Sequence, residues 1–187
     1  MEKLFIKNMV CGRCIAAVEH ELNKLGIPAS NILLGEVTLE APIDEATRKQ
    51  LAQNLEGLGF ELIEDRNGRI IEKIKNTVIQ LVHHQHDGHQ QNLSEILSSE
   101  LHMDYSYLSK LFSEVEGTTI EKYYIAQKIE KVKELLVYDE LSLSEIADRL
   151  NYSSVAYLSN QFKKITGLSP SHFKKIGLSK RKPLDKV

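Results

Sequence analysis

The spacing of apolar residues changes character repeatedly along the first 65 residues. Leu4 and Ile6 alternate with polar neighbours in EKLFIKN, the period of a half-buried strand. Ile15, Val18, Leu22 and Leu25 then recur every three or four residues, which predicts a helix ended by Gly26 and Pro28. NILLGEVTLEAP reads as two short strands turning near Gly35. Asp44 is placed to cap a second helix, DEATRKQLAQNLEGLGF, with Leu51, Leu55 and Leu58 on its apolar face. Gly59 stops that helix, and FELIE supplies a last strand. The predicted order is βαββαβ.

Asp65-Arg66-Asn67-Gly68 marks a boundary, and everything beyond it has helical period. Ile70, Ile71, Ile74, Val78, Leu81 and Val82 form one stripe, broken by the polar stretch HHQHDGHQQN. An internal repeat follows. Leu-Ser-Glu-Ile occurs at 93–96 and 143–146, and Tyr-Leu-Ser-x-x-Phe at 107–112 and 157–162. Gly117 is matched by Gly167 and Tyr123 by Phe173, all at a displacement of 50 residues. Two copies of one supersecondary unit therefore lie in tandem, joined by the long helix IEKYYIAQKIEKVKELLVYD. The fold class is α+β: a ferredoxin-like βαββαβ domain over 1–66, helices on one face of an antiparallel sheet, then an all-α bipartite helix-turn-helix domain over 67–187.

In the second copy Ser142 caps LSEIADRL, a break falls at Asn151, and a longer helix follows. With Leu158 at the centre of its buried face, Val155, Phe162 and Ile165 fall beside it at 100° per residue. Ser153, Ala156, Asn160 and Lys163 fall opposite, with Ser159 on the flank. In the first copy Leu108, Leu111, Phe112 and Val115 are assigned to the core; Ser106, Lys110 and Ser113 point away, and Ser109 flanks. Small polar faces of this kind either are ordinary solvated surfaces or lie in a major groove, where Asn can read adenine and Lys guanine.

Composition narrows the classes. Hydrophobic content of 42% and charged content of 27% suit ordinary cores and exclude whole-chain disorder. No apolar run approaches the roughly 20 residues of a membrane span, and the N-terminus lacks a secretory pattern, so a cytoplasmic protein is expected. The net charge of −2 hides an asymmetry: residues 161–187 carry eight basic side chains and one acidic. Lys163 and Lys164 sit in that block, as expected of phosphate contacts. No Ser–His–Asp set, Gly-rich phosphate loop or paired-carboxylate site points to an enzyme.

SLSEIADRLNYSSVAYLSNQFKKITGLSPSHFKK resembles the signature of AraC/XylS-type bacterial transcription regulators, and the similarity extends over about residues 68–178. It includes the connecting helix IAQKIEKVKELL and the Gly-x-Ser-Pro after the second recognition helix. The resemblance implies a regulator whose partners are double-stranded DNA and the transcription machinery, with two recognition helices in successive major-groove segments. It places base-facing positions at Ser106, Ser109 and Lys110, and at Val155, Ala156, Ser159 and Asn160. The helical faces above agree except at Val155. Where the family often has Gln or Arg, these small residues shift weight toward backbone and shape readout.

Asn8-Met9-Val10-Cys11-Gly12-Arg13-Cys14 resembles the Gly-Met-x-Cys-x-x-Cys of the heavy-metal-associated domain of copper chaperones and metal-transporting ATPases, and Gly59-Phe60 matches its loop near the metal. Asn8 replaces glycine, but Asn also accepts positive φ. At a helix N-terminus both thiols are expected to be more acidic than free cysteine. Two soft thiolates suit Cu(I), or Hg(II), whereas tetrahedral Zn²⁺ needs two more ligands. A thiol–disulfide switch and a structural pair are the competing readings of Cys11 and Cys14, and Met9 is assigned to the core. His83, His84, His86 and His89 form a second cluster, read either as helix-end residues or as imidazole ligands. The expected function is a DNA-binding transcription regulator responsive to a soft metal ion. The alternative is a metallochaperone or redox sensor whose helical half serves interaction.

Overall fold

The computed structural model describes residues 2–84 and 92–176, and the chain divides into two compact units, Met1–Asn76 and Thr77–Val187. In the first, β1 (Glu2–Lys7), α1 (Gly12–Lys24), β2 (Ala29–Leu33), β3 (Glu36–Leu39), α2 (Glu45–Glu56) and β4 (Glu61–Leu62) follow in the predicted order. The sheet order is β2-β3-β1-β4, and every neighbouring pair is antiparallel. Alternation along β1 sends Leu4 and Ile6 into one core with Val37 and Leu39, Val18 and Leu22 of α1, and Leu51 and Leu55 of α2. Asp44 caps α2, accepting from the Thr47 N–H at 2.7 Å. Leu58, assigned above to the apolar face, is 51% exposed, because α2 ends at Glu56 and the chain has already turned.

Phe5 projects from the opposite side of β1, where helix α3 (Arg66–Ile79) docks. The first compact unit runs ten residues past the boundary read from the sequence for that reason. Asp65-Arg66-Asn67-Gly68 is the start of α3 and no open link: the Asp65 carboxylate accepts the Gly68 N–H at 2.7 Å, as an N-cap does. The apolar stripe is buried at Ile70, Ile71, Ile74, Val78 and Val82, with Ile79 added and Leu81 only half-buried. A π-helical turn, Gln80–His84, continues from α3.

The second unit contains α4 (Leu93–Leu101), α5 (Tyr105–Glu116), α6 (Ile120–Tyr138), α7 (Leu143–Arg149), α8 (Val155–Thr166) and α9 (Pro170–Ile176). Both limits of α5 recur 50 residues later in α8, and α4, α6 and α7, α9 begin at the same displacement. Gly117 and Gly167 close α5 and α8 in the left-handed conformation that glycine adopts without strain. No helix among the described residues is long and apolar enough to cross a membrane.

Candidate nucleic-acid interface and cysteine site

Each recognition helix is closed by a glycine at its C-terminus and anchored from below, and α8 is capped at its N-terminus as well. A capping box starts α7: Ser142 Oγ accepts from the Glu145 N–H, and the Glu145 carboxylate accepts from the Ser142 N–H at 2.7 Å. Asn151 takes φ 52° in the turn, and Ser154 then caps α8 by accepting from the Tyr157 N–H at 3.1 Å. Leu158 and Phe162 anchor α8, with Phe162 edge-on to Phe173 of α9 at 5.5 Å. Leu108, Leu111 and Phe112 anchor α5, and Phe112 meets Tyr123 of α6 at 5.7 Å.

That anchoring leaves Ser106 and Lys110 of α5 exposed, with Ser109 half-buried. On α8 it leaves Ala156, Asn160, Lys163 and Lys164 exposed, with Ser159 half-buried. Ser106 and Ala156, Ser109 and Ser159, and Lys110 and Asn160 are pairs 50 residues apart, so each copy presents the same helix face. Lys110 lies 3.9 Å from Glu114, an exposed pair too weak to withhold the ammonium from a phosphate or base. Val155 is half-buried against the core, where the helical wheel placed it. Val115 and Ile165, expected in the core, are 53% and 47% exposed. They face the same way as Leu108 and Leu158, but the last helical turn runs past the core that ends at Phe112 and Phe162.

Sequence reasoning passed over two neighbours on α6 that hold these helices. Gln127, fully buried, receives His83 Nε2 at 3.0 Å and donates from its own Nε2 to the Tyr123 hydroxyl at 3.0 Å. Lys128 places its ammonium 3.8 Å from the centre of the Tyr152 ring, whose hydroxyl donates to Gln161 of α8 at 2.7 Å. Burial pulls the Lys128 ammonium down to about 8. Their signal in the sequence is polar residues on the inner side of a connecting helix, which periodicity alone reads as breaks in the stripe. His83 is accordingly a buried hydrogen-bonded residue, beyond the helix-end role read from sequence; burial above all holds its imidazole down at about 4. His84 is exposed, and His86 and His89 lie outside the described residues.

In the first unit Cys11 is the N-cap of α1 and Cys14 lies in its first turn, with the sulfurs 3.6 Å apart. Met9 is fully buried, as expected of a core residue. The thiols are unlike. Burial raises the Cys11 thiol, but the N–H groups of Cys14 and Arg13 and the Arg13 guanidinium outweigh it and hold Cys11 below its ordinary value. Burial dominates at Cys14 and pushes its thiol up, contrary to the expectation that both would be acidified. The deeper sulfur also faces the first, so it is the harder of the two to ionise. Among the described residues no third Cys, His, Asp or Glu joins the pair in a metal-holding group. The donor set therefore fits a soft two-coordinate ion and does not fit tetrahedral zinc.

Twin anchored helices on one connecting helix, each with an exposed polar face, define a bipartite helix-turn-helix DNA-binding domain. Residues 97–176 match the family model described as a helix-turn-helix domain. The chain is 28% identical over 127 residues to the Msm operon regulatory protein of Streptococcus mutans, a match covering 68% of this chain and 45% of that protein. It is 35% identical over 71 residues to the xylose operon regulatory protein of Escherichia coli, covering 38% of this chain and 18% of that one. The C-terminal domain of AraT, a response regulator from Geobacillus stearothermophilus, superposes with a TM-score of 0.51 at 27% identity, covering 64% of this chain and 95% of that domain. The helical half is an AraC-type DNA-binding domain. The chain spans less than half the length of these curated relatives.

Proposed function

We propose that the protein is a sequence-specific transcription regulator whose DNA binding responds to a soft metal ion, Cu(I) above others, held by Cys11 and Cys14. The DNA-binding part rests on two recognition-helix faces repeated at 50 residues, Ser106, Ser109 and Lys110 in one and Ala156, Ser159, Asn160, Lys163 and Lys164 in the other. The sensing part rests on one observation: two thiols 3.6 Å apart at the N-terminus of a helix, the outer one acidified. Strand order β2-β3-β1-β4 and element order βαββαβ support a ferredoxin-like, heavy-metal-associated reading of the first unit. A bound soft cation would supply positive charge where two thiolates would otherwise repel. Cys11 gives up its proton first, and the α1 N–H groups compensate the charge that develops. Such a protein works in the cytoplasm, beside DNA and the transcription machinery.

Reduced protein is expected to bind about one Cu(I), and Cys11→Ser/Cys14→Ser to lose tight binding while its circular dichroism is unchanged. Undiminished affinity in the double variant would remove the site. Titrating Cu(I) while measuring affinity for the protein's own promoter DNA separates a regulator from a metallochaperone, whose DNA affinity would stay flat. A second reading is favoured by the unequal thiols: an acidic outer cysteine beside a less acidic inner one suits peroxide oxidation to a disulfide. Thiol titration after peroxide, with metal analysis, distinguishes it.

A further inference from the structure

The cysteine loop is fastened more elaborately than ion binding requires. Asn8 holds left-handed φ of 71° and is tied on three sides. Its N–H donates to Glu72 Oε1 at 3.0 Å, its Nδ2 donates to the Gly59 carbonyl at 2.9 Å, and its own carbonyl faces Cys14 Sγ at 4.0 Å. Glu72 lies on α3 and is only 6% exposed, so its hydrogen bond to a backbone N–H is shielded from water. Arg69, Lys73 and Asn76 share that face of α3 at steps of three and four residues. The Arg69 guanidinium covers the Phe5 ring at 4.8 Å, Lys73 pairs with Glu36 at 3.4 Å, and Asn76 Nδ2 donates to the Leu34 carbonyl at 3.2 Å. Gly35 makes the last contact possible, since a Cβ there would fall 2.2 Å from Asn76 Nδ2.

We propose that this polar face of α3 reads the state of the cysteine site, with Glu72 as the positioning residue that ties α3 to the cysteine loop through Asn8. The inference rests on the soft-metal reading above and deepens it. Sulfurs that rest 3.6 Å apart would have to rearrange to take opposite sides of an ion. The α1 side resists, because Val18 and Leu22 are fully packed into the core. The loop from Asn8 to Cys11 yields instead, and a shift of Asn8 loads its bond to Glu72. The docking it loads is already imperfect: Arg69 Nε and Asn76 Oδ1 are buried without a hydrogen-bond partner. A helix held this way releases or tightens over a small displacement. It is also well placed to report, since α3 contributes residues to both compact units, up to Asn76 in the first and from Thr77 in the second.

The test is amide hydrogen exchange of α3 in the full chain, reduced, with and without one equivalent of chelator-buffered Cu(I). Exchange over residues 66–79 is expected to change about fivefold or more on loading. Glu72→Ala should bind Cu(I) within a few-fold of the unaltered protein while α3 exchange no longer responds. Glu72→Gln, which keeps an acceptor oxygen for the Asn8 N–H, should restore much of the response. Gly35→Ala, which displaces Asn76 far from either sulfur, should flatten the response independently if Glu72→Ala does not fold. Failure of the unaltered protein to bind Cu(I) overturns the metal reading and this inference with it. Normal Cu(I) binding with unchanged α3 exchange, or a Glu72→Ala response equal to that of the unaltered protein, overturns the inference alone and leaves the metal site in place.

Discussion

His83 offers a measurement in which pH isolates one buried contact of the DNA-binding half. Its Nε2 lies 3.0 Å from Gln127 Oε1, a bond the neutral imidazole makes with its proton on Nε2. Burial is the main reason its imidazole takes a second proton only near 4; Gln127 and Glu134 oppose that effect, and Lys131 and His84 add to it. Unfolded, the same imidazole protonates near 6.5. Between the two values the unfolded chain holds a proton that the folded chain does not. Stability from this group is therefore complete above about pH 6.5, drains as pH falls toward 4, and changes no further below that. At about 1.4 kcal/mol for each pH unit, the loss across the window is about 3 kcal/mol. All seven tyrosines lie at or beyond Tyr105 and there is no tryptophan, so tyrosine fluorescence during urea unfolding reports on the helical unit alone. His83→Gln keeps a donor toward Gln127 and cannot titrate. Relative to it, the unaltered protein should lose about 3 kcal/mol between pH 6.5 and 4, while carboxylates that titrate in both cancel. Parallel stability curves for the two proteins would refute the assignment of His83 as a buried neutral residue.

Asn160→Ala should cost about 1–3 kcal/mol on the specific site and little on random DNA, whereas Lys163→Ala and Lys164→Ala should weaken both and flatten the salt dependence. Equal losses on both DNAs for Asn160→Ala, in a gel-shift comparison, would exclude it from base reading. Ser142→Ala removes the acceptor of the capping box and should lower helical-unit stability by about 1 kcal/mol in urea unfolding; no change would mean that Glu145 alone holds the helix start. Tyr123→Phe takes the hydroxyl from a buried Gln127 amide and should cost about 1–3 kcal/mol in the same assay, while Tyr138→Phe, at an exposed ring, should cost nothing measurable.

The elements legible in the sequence are those where one apolar period runs cleanly. Leu4 and Ile6, Val18 and Leu22, and Leu158 and Phe162 went where their spacing sent them, and Asp44, Ser142 and Asn151 did what their side chains allow. Periodicity failed where it carries no information about helix ends: Leu58, Val115 and Ile165 continue a stripe after the core has stopped. It also misread the start of α3, because Asp-Arg-Asn-Gly is as good a turn as it is a capped helical first turn, and only docking on Phe5 decides. For the candidate site, the outward face of each recognition helix was legible. The polar groups that hold those helices were not, since Gln127 meets His83 from a segment 44 residues earlier and Lys128 covers the Tyr152 ring from another helix, and no local period records either contact.

The mismatches within the repeat carry as much meaning as its matches. Phe112 with Tyr123 and Phe162 with Phe173 are the same ring pair 50 residues apart, at 5.7 and 5.5 Å, so packing preserves the rings and is indifferent to the hydroxyl. The hydroxyl is present only in the first copy because only there does a buried amide, Gln127, need an acceptor, and Gln127 is there to meet His83 in the turn that follows α3. The second copy is held differently, by Lys128 over Tyr152 and Tyr152 on Gln161 of the recognition helix itself. Adjacent residues of α6 thus hold the two copies by unlike chemistry: a neutral hydrogen-bonded chain for the first, a buried cation on an aromatic ring for the second. A duplicated unit that needed only stability would have no reason to diverge at these positions, since apolar residues of similar volume serve a core at least as well as buried polar ones. What the polar chain adds is a directional constraint: His83 must keep its place for Gln127 and Tyr123 to keep theirs beneath α5.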